Sequence, residues 1–189
     1  VIDEINDSLD NDKVIISLAP GFTITQLKEK LKAGRIVRSM PNTPAMIGEG
    51  MTGVCFDENE FDEKEIDVIN KIFEATGKAK KVDEKLMNSV VCASGSSPAY
   101  VFMFIEALAD SAVKCGLPRK DAYEFVAQTV LGSAKLMLET GKHPGELKDM
   151  VCSPGGTTIA GVAELEKNGF RKAIFEATDA CFNKCNNIK

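Results

Sequence analysis

Several things are scarce or missing in this sequence, and each absence narrows what the chain can do. Long apolar runs are missing: the longest, Tyr100 to Ile105, is far too short for a bilayer. No membrane partner is therefore expected. No basic stripe is present, the net charge is -5, and pairs such as Lys80-Lys81 read as solvated surface. This excludes the usual electrostatic footprint of a nucleic-acid binder. Histidine is nearly absent, with His143 alone, and none of the six cysteines forms a CxxC pair. A zinc site is not expected. Cys181 and Cys185 share a helix face and read as small packing residues. Unpaired, scattered cysteines suit a reducing cytoplasm.

Catalytic signatures are missing too. There is no GxSxG elbow, no HExxH and no Walker loop. GxGxxG in the setting that cradles a dinucleotide pyrophosphate, a turn from a strand into a helix, is missing: GEGMTG, Gly48 to Gly53, has the spacing but leads into a predicted strand. The start, "VIDEINDSLD", is acidic and lacks the apolar core of a signal peptide. It opens on Val1 inside a helical pattern, so the chain is expected to be part of a longer protein.

What is present falls into two halves. The first alternates. "VIDEINDSL" predicts a helix with Ile2, Ile5 and Leu9 on one face, and "KVIISLA" a buried strand. "TITQLKEKLKAG" predicts a helix with Ile24, Leu27 and Leu31 inward, closed by Gly34. "RIVRSM" and "MTGVCF" predict two more strands. "DEKEIDVINKIFEATG" predicts a helix burying Ile66, Ile69, Ile72 and Phe73, and "KAKKV" a weak last strand. Strands alternating with helices predict a parallel α/β sheet.

From about Asp83 no strand signal remains, and the second half predicts an all-α region. The helix opened by Pro98 carries its polar residues Glu106, Asp110 and Lys114 in one narrow stripe. It is therefore expected to be buried on most sides, part of the cover coming from a partner subunit. The next helix, opened by Pro118, puts Ala122, Phe125, Val126, Thr129, Val130, Ser133 and Met137 on one face. Gly132 within it marks a possible close helix crossing.

Three loops could hold a ligand. "LAPGFT" (Leu18 to Thr23) and "MPNTPAMIGEGMT" (Met40 to Thr52) each follow a predicted strand, where open α/β sheets bind ligands. Two prolines stiffen the second and hold Asn42 and Thr43 between them. The third is "SPGGTT", Ser153 to Thr158, ahead of a predicted helix. A helix N-terminus offers unpaired amides and a positive dipole end to an anion. An ordinary cap by Ser153 or a threonine is the alternative. His143 precedes Pro144 and reads as a helix-entry residue.

Together, "MPNTPAMIGEGMT", "ASGSSPAYVFMFIEALADSAVKCGLPR", "AQTVLGSAKLM" and "HPGELKDMVCSPGGTTIAGVAELEKNGFR" resemble the pyrroline-5-carboxylate reductases across essentially the whole chain. The resemblance implies reduction of 1-pyrroline-5-carboxylate to L-proline with NADPH or NADH, the last step of proline synthesis. It implies a Rossmann-like dinucleotide-binding domain, present here as residues 1–83 without its first βαβ unit. Residues 84–189 would form a helical domain for dimerisation, or higher homo-oligomers, and for substrate binding. Ser153, Gly155, Gly156, Thr157 and Thr158 would hold the substrate carboxylate, with Thr158 nearest the ring nitrogen as the catalytic contact. Glu84 matches another substrate position. Leu18, Ala19, Pro20, Asn42 and Thr43 would line the cofactor.

Two positions depart from the family pattern. Pro20 stands where alanine is usual and removes an amide donor. Ser97 stands where glycine is usual and would crowd the substrate pocket. Without the GxGxxG turn, weak or no turnover is expected from this chain alone. Two other readings stand beside this one. A β-hydroxyacid dehydrogenase would use a lysine at the start of the helical domain, where Lys85 is available. A non-catalytic dimerisation or binding module is the second.

Overall fold

The computed structural model describes residues 2–187. Val1, Ile188 and Lys189, the outermost residues of the two expected domains, lie outside the described residues. Packing divides the chain into two compact units. Val1–Pro98 with Thr178–Lys189 form the first, and Ala99–Ala177 the second.

The first unit is α/β. Helix α1 (Ile2–Asn6) precedes β1 (Val14–Ser17), α2 (Ile24–Lys30) and β2 (Arg35–Met40). A 3-10 turn (Thr43–Ile47) leads to β3 (Gly50–Cys55), α3 (Glu63–Glu74) and β4 (Gly77–Lys81). The sheet order is β1-β2-β3-β4. The β1–β2 and β3–β4 pairs are parallel, whereas β2 and β3 run antiparallel. The all-parallel expectation is thus corrected at one joint. A parallel pairing needs a crossover of about a dozen residues or more. Helices α2 and α3 provide one each, while the short stiff segment 41–49 can only reverse the chain.

Both sheet faces are covered. Neighbouring Ile36 and Val37 point to opposite faces of β2, and each is 0% exposed. Ile36 packs with Leu27 and Leu31; Val37 packs with Val54, Phe61, Ile69 and Phe73. Burying each such aliphatic or aromatic side chain is worth about 1.5–3 kcal/mol. Helix α2 begins with a reciprocal capping box of Thr23 and Gln26, and α3 with one of Asp62 and Glu65. Helix α2 ends at Leu31, which turns extended, so Gly34 is not its stop. Ile5 and Ile72 face solvent, contrary to their expected places in the core. Helix α1 is too short to bring Ile5 and Leu9 onto one face, and the inward stripe of α3 is narrowed to Ile66, Ile69 and Phe73. At the head of β3 and β4, Gly50 and Gly77 stand in register. A Cβ on Gly77 would lie 2.2 Å from the Gly50 carbonyl oxygen, and φ there is +136°.

Helical structure resumes in α4 (Met87–Val90) and a π-helical turn (Val91–Gly95). Met87 is fully buried against Met40 and Cys55. Then follow α5 (Ser97–Lys114), α6 (Arg119–Thr140), α7 (Pro144–Val151), α8 (Thr157–Lys167) and α9 (Phe170–Asn186). The second unit has one small core, in which Ala109 of α5 meets Ala122 and Val126 of α6. Phe102, Met103, Phe125 and Leu138 are 61%, 68%, 64% and 66% exposed. The expected burial of α5 and of the α6 face is therefore not met within one chain. Among the described residues nothing lies within 4 Å of a Cβ placed on Gly132, so none of their helices crosses there. By length and composition a stretch within the helical run Glu84–Lys114 would pass for a membrane span. The expectation from uninterrupted apolar runs missed this, because small residues keep the average high around scattered charges.

Candidate functional site

Each unit contributes candidate residues and is described by itself. In the α/β unit, the turn Leu18–Pro20 leaves the carboxyl end of β1, and Asn42 and Thr43 follow the carboxyl end of β2. The parallel pairing puts both on one edge of the sheet. Leu18, Ala19 and Pro20 are exposed, Thr43 is exposed and Asn42 half-buried. The Ala19 amide donates to Ser17 Oγ at 3.3 Å. Asn42 Oδ1 accepts from the Met51 amide at 2.9 Å, which fixes the side chain across the Pro41–Pro44 loop.

Glu84 is committed locally. Its Oε1 accepts from the Ile24 amide at 2.6 Å and lies 3.3 Å from Arg38 Nη1. Arg38 is 4% exposed, and its buried Nε has no hydrogen-bond partner. Glu84, Lys85, Arg38, Gly21 and Thr23 line a cavity of about 520 Å³. The amino end of α2 is therefore occupied, capped by Thr23 and Gln26 and closed by a carboxylate. An anionic ligand group does not belong there.

In the helical unit, the Ser153–Thr158 turn lacks the ordinary serine or threonine cap. The cap of α8 is Gly156, and no side chain bonds to the helix's first amides. Ser153 does not cap; its carbonyl accepts from the Gly156 amide at 3.0 Å. The two glycines serve different needs. Gly155 has φ +67°, the left-handed region that favours glycine. A Cβ on Gly156 would sit 2.4 Å from Ser153 Oγ. The absence of a side chain at 156 thus makes room for that hydroxyl, and at 155 it sets the backbone. Thr157 and Thr158 are the first two residues of α8, and both are exposed. The result is a solvent-open helix entry with its amide donors uncovered, flanked by hydroxyls.

Other residues behave as structure. His143 caps α7, its Nδ1 accepting from the Gly145 amide at 3.0 Å, which is the helix-entry role expected for it. Ser97 turns its hydroxyl back to the Ala93 carbonyl at 2.8 Å. Sequence spacing paired Cys181 with Cys185 but gave no hint of a third sulfur beside them. Cys92 on the π-helical turn meets Cys181 and Cys185 of α9, the three sulfurs lying within 4.8 Å of one another. Burial, and then hydrogen bonding with Cys181, pushes the Cys92 thiol up to about 12.

A mixed sheet with open turns at its parallel strand ends, followed by helices that leave their apolar faces uncovered, is a Rossmann-like architecture with a helical C-terminal domain. The comparisons with known proteins narrow this. The pyrroline-5-carboxylate reductase dimerisation family matches residues 84–188. The pyrroline-5-carboxylate reductase of Escherichia coli (strain K12) is 54% identical over 185 residues, covering 97% of this chain and 68% of that protein. The Arabidopsis thaliana enzyme of that name is 45% identical, with 95% and 64% covered. The crystal structure of Plasmodium falciparum pyrroline carboxylate reductase, solved with NADP bound, has a TM-score of 0.89 at 36% identity. It is covered over 98% of this chain and 75% of its own. The chain belongs to the pyrroline-5-carboxylate reductase family. It spans about two thirds of the length of the curated relatives it matches. The β-hydroxyacid dehydrogenase alternative gives way to this match.

Proposed function

We propose that the chain serves the NAD(P)H-dependent reduction of 1-pyrroline-5-carboxylate to L-proline. The observation that carries this is the uncapped entry of α8, a carboxylate-sized set of amides and hydroxyls in a chain of this family. Ser153, Gly155, Gly156 and Thr157 hold the substrate carboxylate, and Thr158 contacts the ring nitrogen. Glu84 is the further substrate residue, tied through Oε1 to Ile24 and Arg38.

The turn Leu18–Pro20 with Asn42 and Thr43 suits the uncharged part of a dinucleotide. These residues offer an exposed apolar side chain and fixed polar groups at one sheet edge. The glycine-rich string Gly48 to Gly53 enters β3 rather than opening a helix, so it is not the helix-entry turn that holds a pyrophosphate. NAD(P)H, when bound, supplies the hydride. The protein's own task is placement, because a protonated imine is already electrophilic and its reduction needs orientation more than a strong acid.

Residues 84–189 act as the dimerisation and substrate domain and residues 1–83 as part of the dinucleotide domain. The family match beginning at residue 84 supports this boundary. The exposed apolar side chains of α5 and α6 support a homodimer, in which a second copy rather than lipid covers them. The cytoplasm, the compartment of small-molecule biosynthesis with reduced thiols, is the proposed location.

Calorimetric titration with L-proline tests the site. One equivalent should bind. Thr158→Ala should weaken binding by about 10-fold or more, the loss of one hydrogen bond to a charged group. The same variant should lower kcat/KM for NADPH oxidation by 1-pyrroline-5-carboxylate. Equal binding and turnover in the variant would remove Thr158 from the site.

A further inference from the structure

The cysteine cluster is not used by the proposed reaction. Cys92 and Cys185 are 5% and 9% exposed, and Cys181 is half-buried. Cys181 and Cys185 lie one helical turn apart on α9, which presents two sulfurs on one side. Cys92 adds the third from the π-helical turn, an irregularity that re-aims side chains within a helix. No histidine or carboxylate belongs to the group. The hydroxyl of Ser96 lies 3.2 Å from Cys181 Sγ and supplies an outer partner.

We propose that Cys92, Cys181 and Cys185 form a three-sulfur site for a soft monovalent cation of the copper(I) class. Soft thiolates select such ions over hard ones. Metal–sulfur bonds of about 2.3 Å place three sulfurs about 4 Å apart in a trigonal site. The cluster already lies within 4.8 Å, so side-chain rotation alone closes it. Three donors without a fourth disfavour a structural zinc, which takes four ligands. Cys185 also lines the 520 Å³ cavity, which gives the ion a way in. Bound there, the ion would pin α9 to the helix that begins at Met87, inside the α/β unit.

The test is anaerobic titration of the reduced chain with copper(I) buffered by a chromogenic chelator. One equivalent should bind, with a near-ultraviolet sulfur-to-metal absorption band. Cys92→Ser and Cys185→Ser should each weaken binding by at least about 10- to 100-fold, the loss seen when even an outer-shell partner is removed. Cys115→Ser, an exposed thiol in the other unit, should change nothing. Circular dichroism checks that each variant is folded, and two variants guard against one misfolding. Retention of the band and affinity in both cluster variants would overturn the site. So would loss of binding in Cys115→Ser alone, or failure of the wild-type chain to take up one equivalent.

Discussion

The two units solve the burial problem differently. The α/β unit closes its own core: Ile36, Val37, Ser39 and Met87 are all 0% exposed, and both faces of the sheet are covered. The helical unit buries only Ala109, Ala122 and Val126, while Phe102, Met103, Phe125 and Leu138 stay open. Burial of one large side chain is worth about 1.5–3 kcal/mol, so the second unit forgoes much of its stabilisation as a single chain. The difference teaches that one unit completes its core from its own sequence, whereas the other leaves apolar side chains that the proposed second copy would cover.

The largest effect should come from breaking the proposed dimer interface. Phe102→Glu with Phe125→Glu should abolish the dimer, halve the mass seen by light scattering and lower the unfolding temperature of the helices. In the wild type, that temperature should fall on dilution. A wild-type monomer at micromolar concentration with an undiminished unfolding temperature would erase the contrast. A smaller effect belongs to the self-sufficient unit. Ile36→Ala should cost about 2–5 kcal/mol in urea unfolding of the α/β unit, by the same amount at every protein concentration.

The smallest effect is a pH dependence confined to the α/β unit. Burial first, and the Glu84 carboxylate second, push the Cys55 thiol up to about 11 from its ordinary 9.0. A raised thiol means that the unfolded chain loses the proton first. Stability from this group is whole below pH 9 and declines between pH 9 and about 11. The slope is at most about 1.4 kcal/mol per pH unit. Cys55→Ala should flatten that part of the profile.

Much of this was legible in the sequence, for physical reasons. Alternating and 3.6-residue patterns located the strands and helices, because they record which side of each element is buried. The narrow stripe of Glu106, Asp110 and Lys114 pointed to a surface needing cover, though the cover is not within the chain. The antiparallel joint was hidden because pattern reports elements and not their direction. Only the shortness of the segment 41–49 carried that information. The SPGGTT turn showed its unusual glycines, but not that 155 is needed for its backbone and 156 for the Ser153 hydroxyl. The cysteine trio was illegible, since Cys92 and Cys181 are brought together only by tertiary folding.

The glycine pair at the head of β3 and β4 has a consequence for anyone mapping this protein by saturation mutagenesis. Any side chain at Gly77 collides with the Gly50 backbone, and one at Gly50 meets Thr76 O at 2.7 Å and Ala45 at 2.9 Å. Gly50 lies beside Met51, whose amide holds Asn42 in place. A map of lost function would therefore show a band of intolerant positions running from the loop proposed to line the cofactor into the sheet. Part of that band would test the proposed ligand contact, and the rest would report two backbones with no room between them.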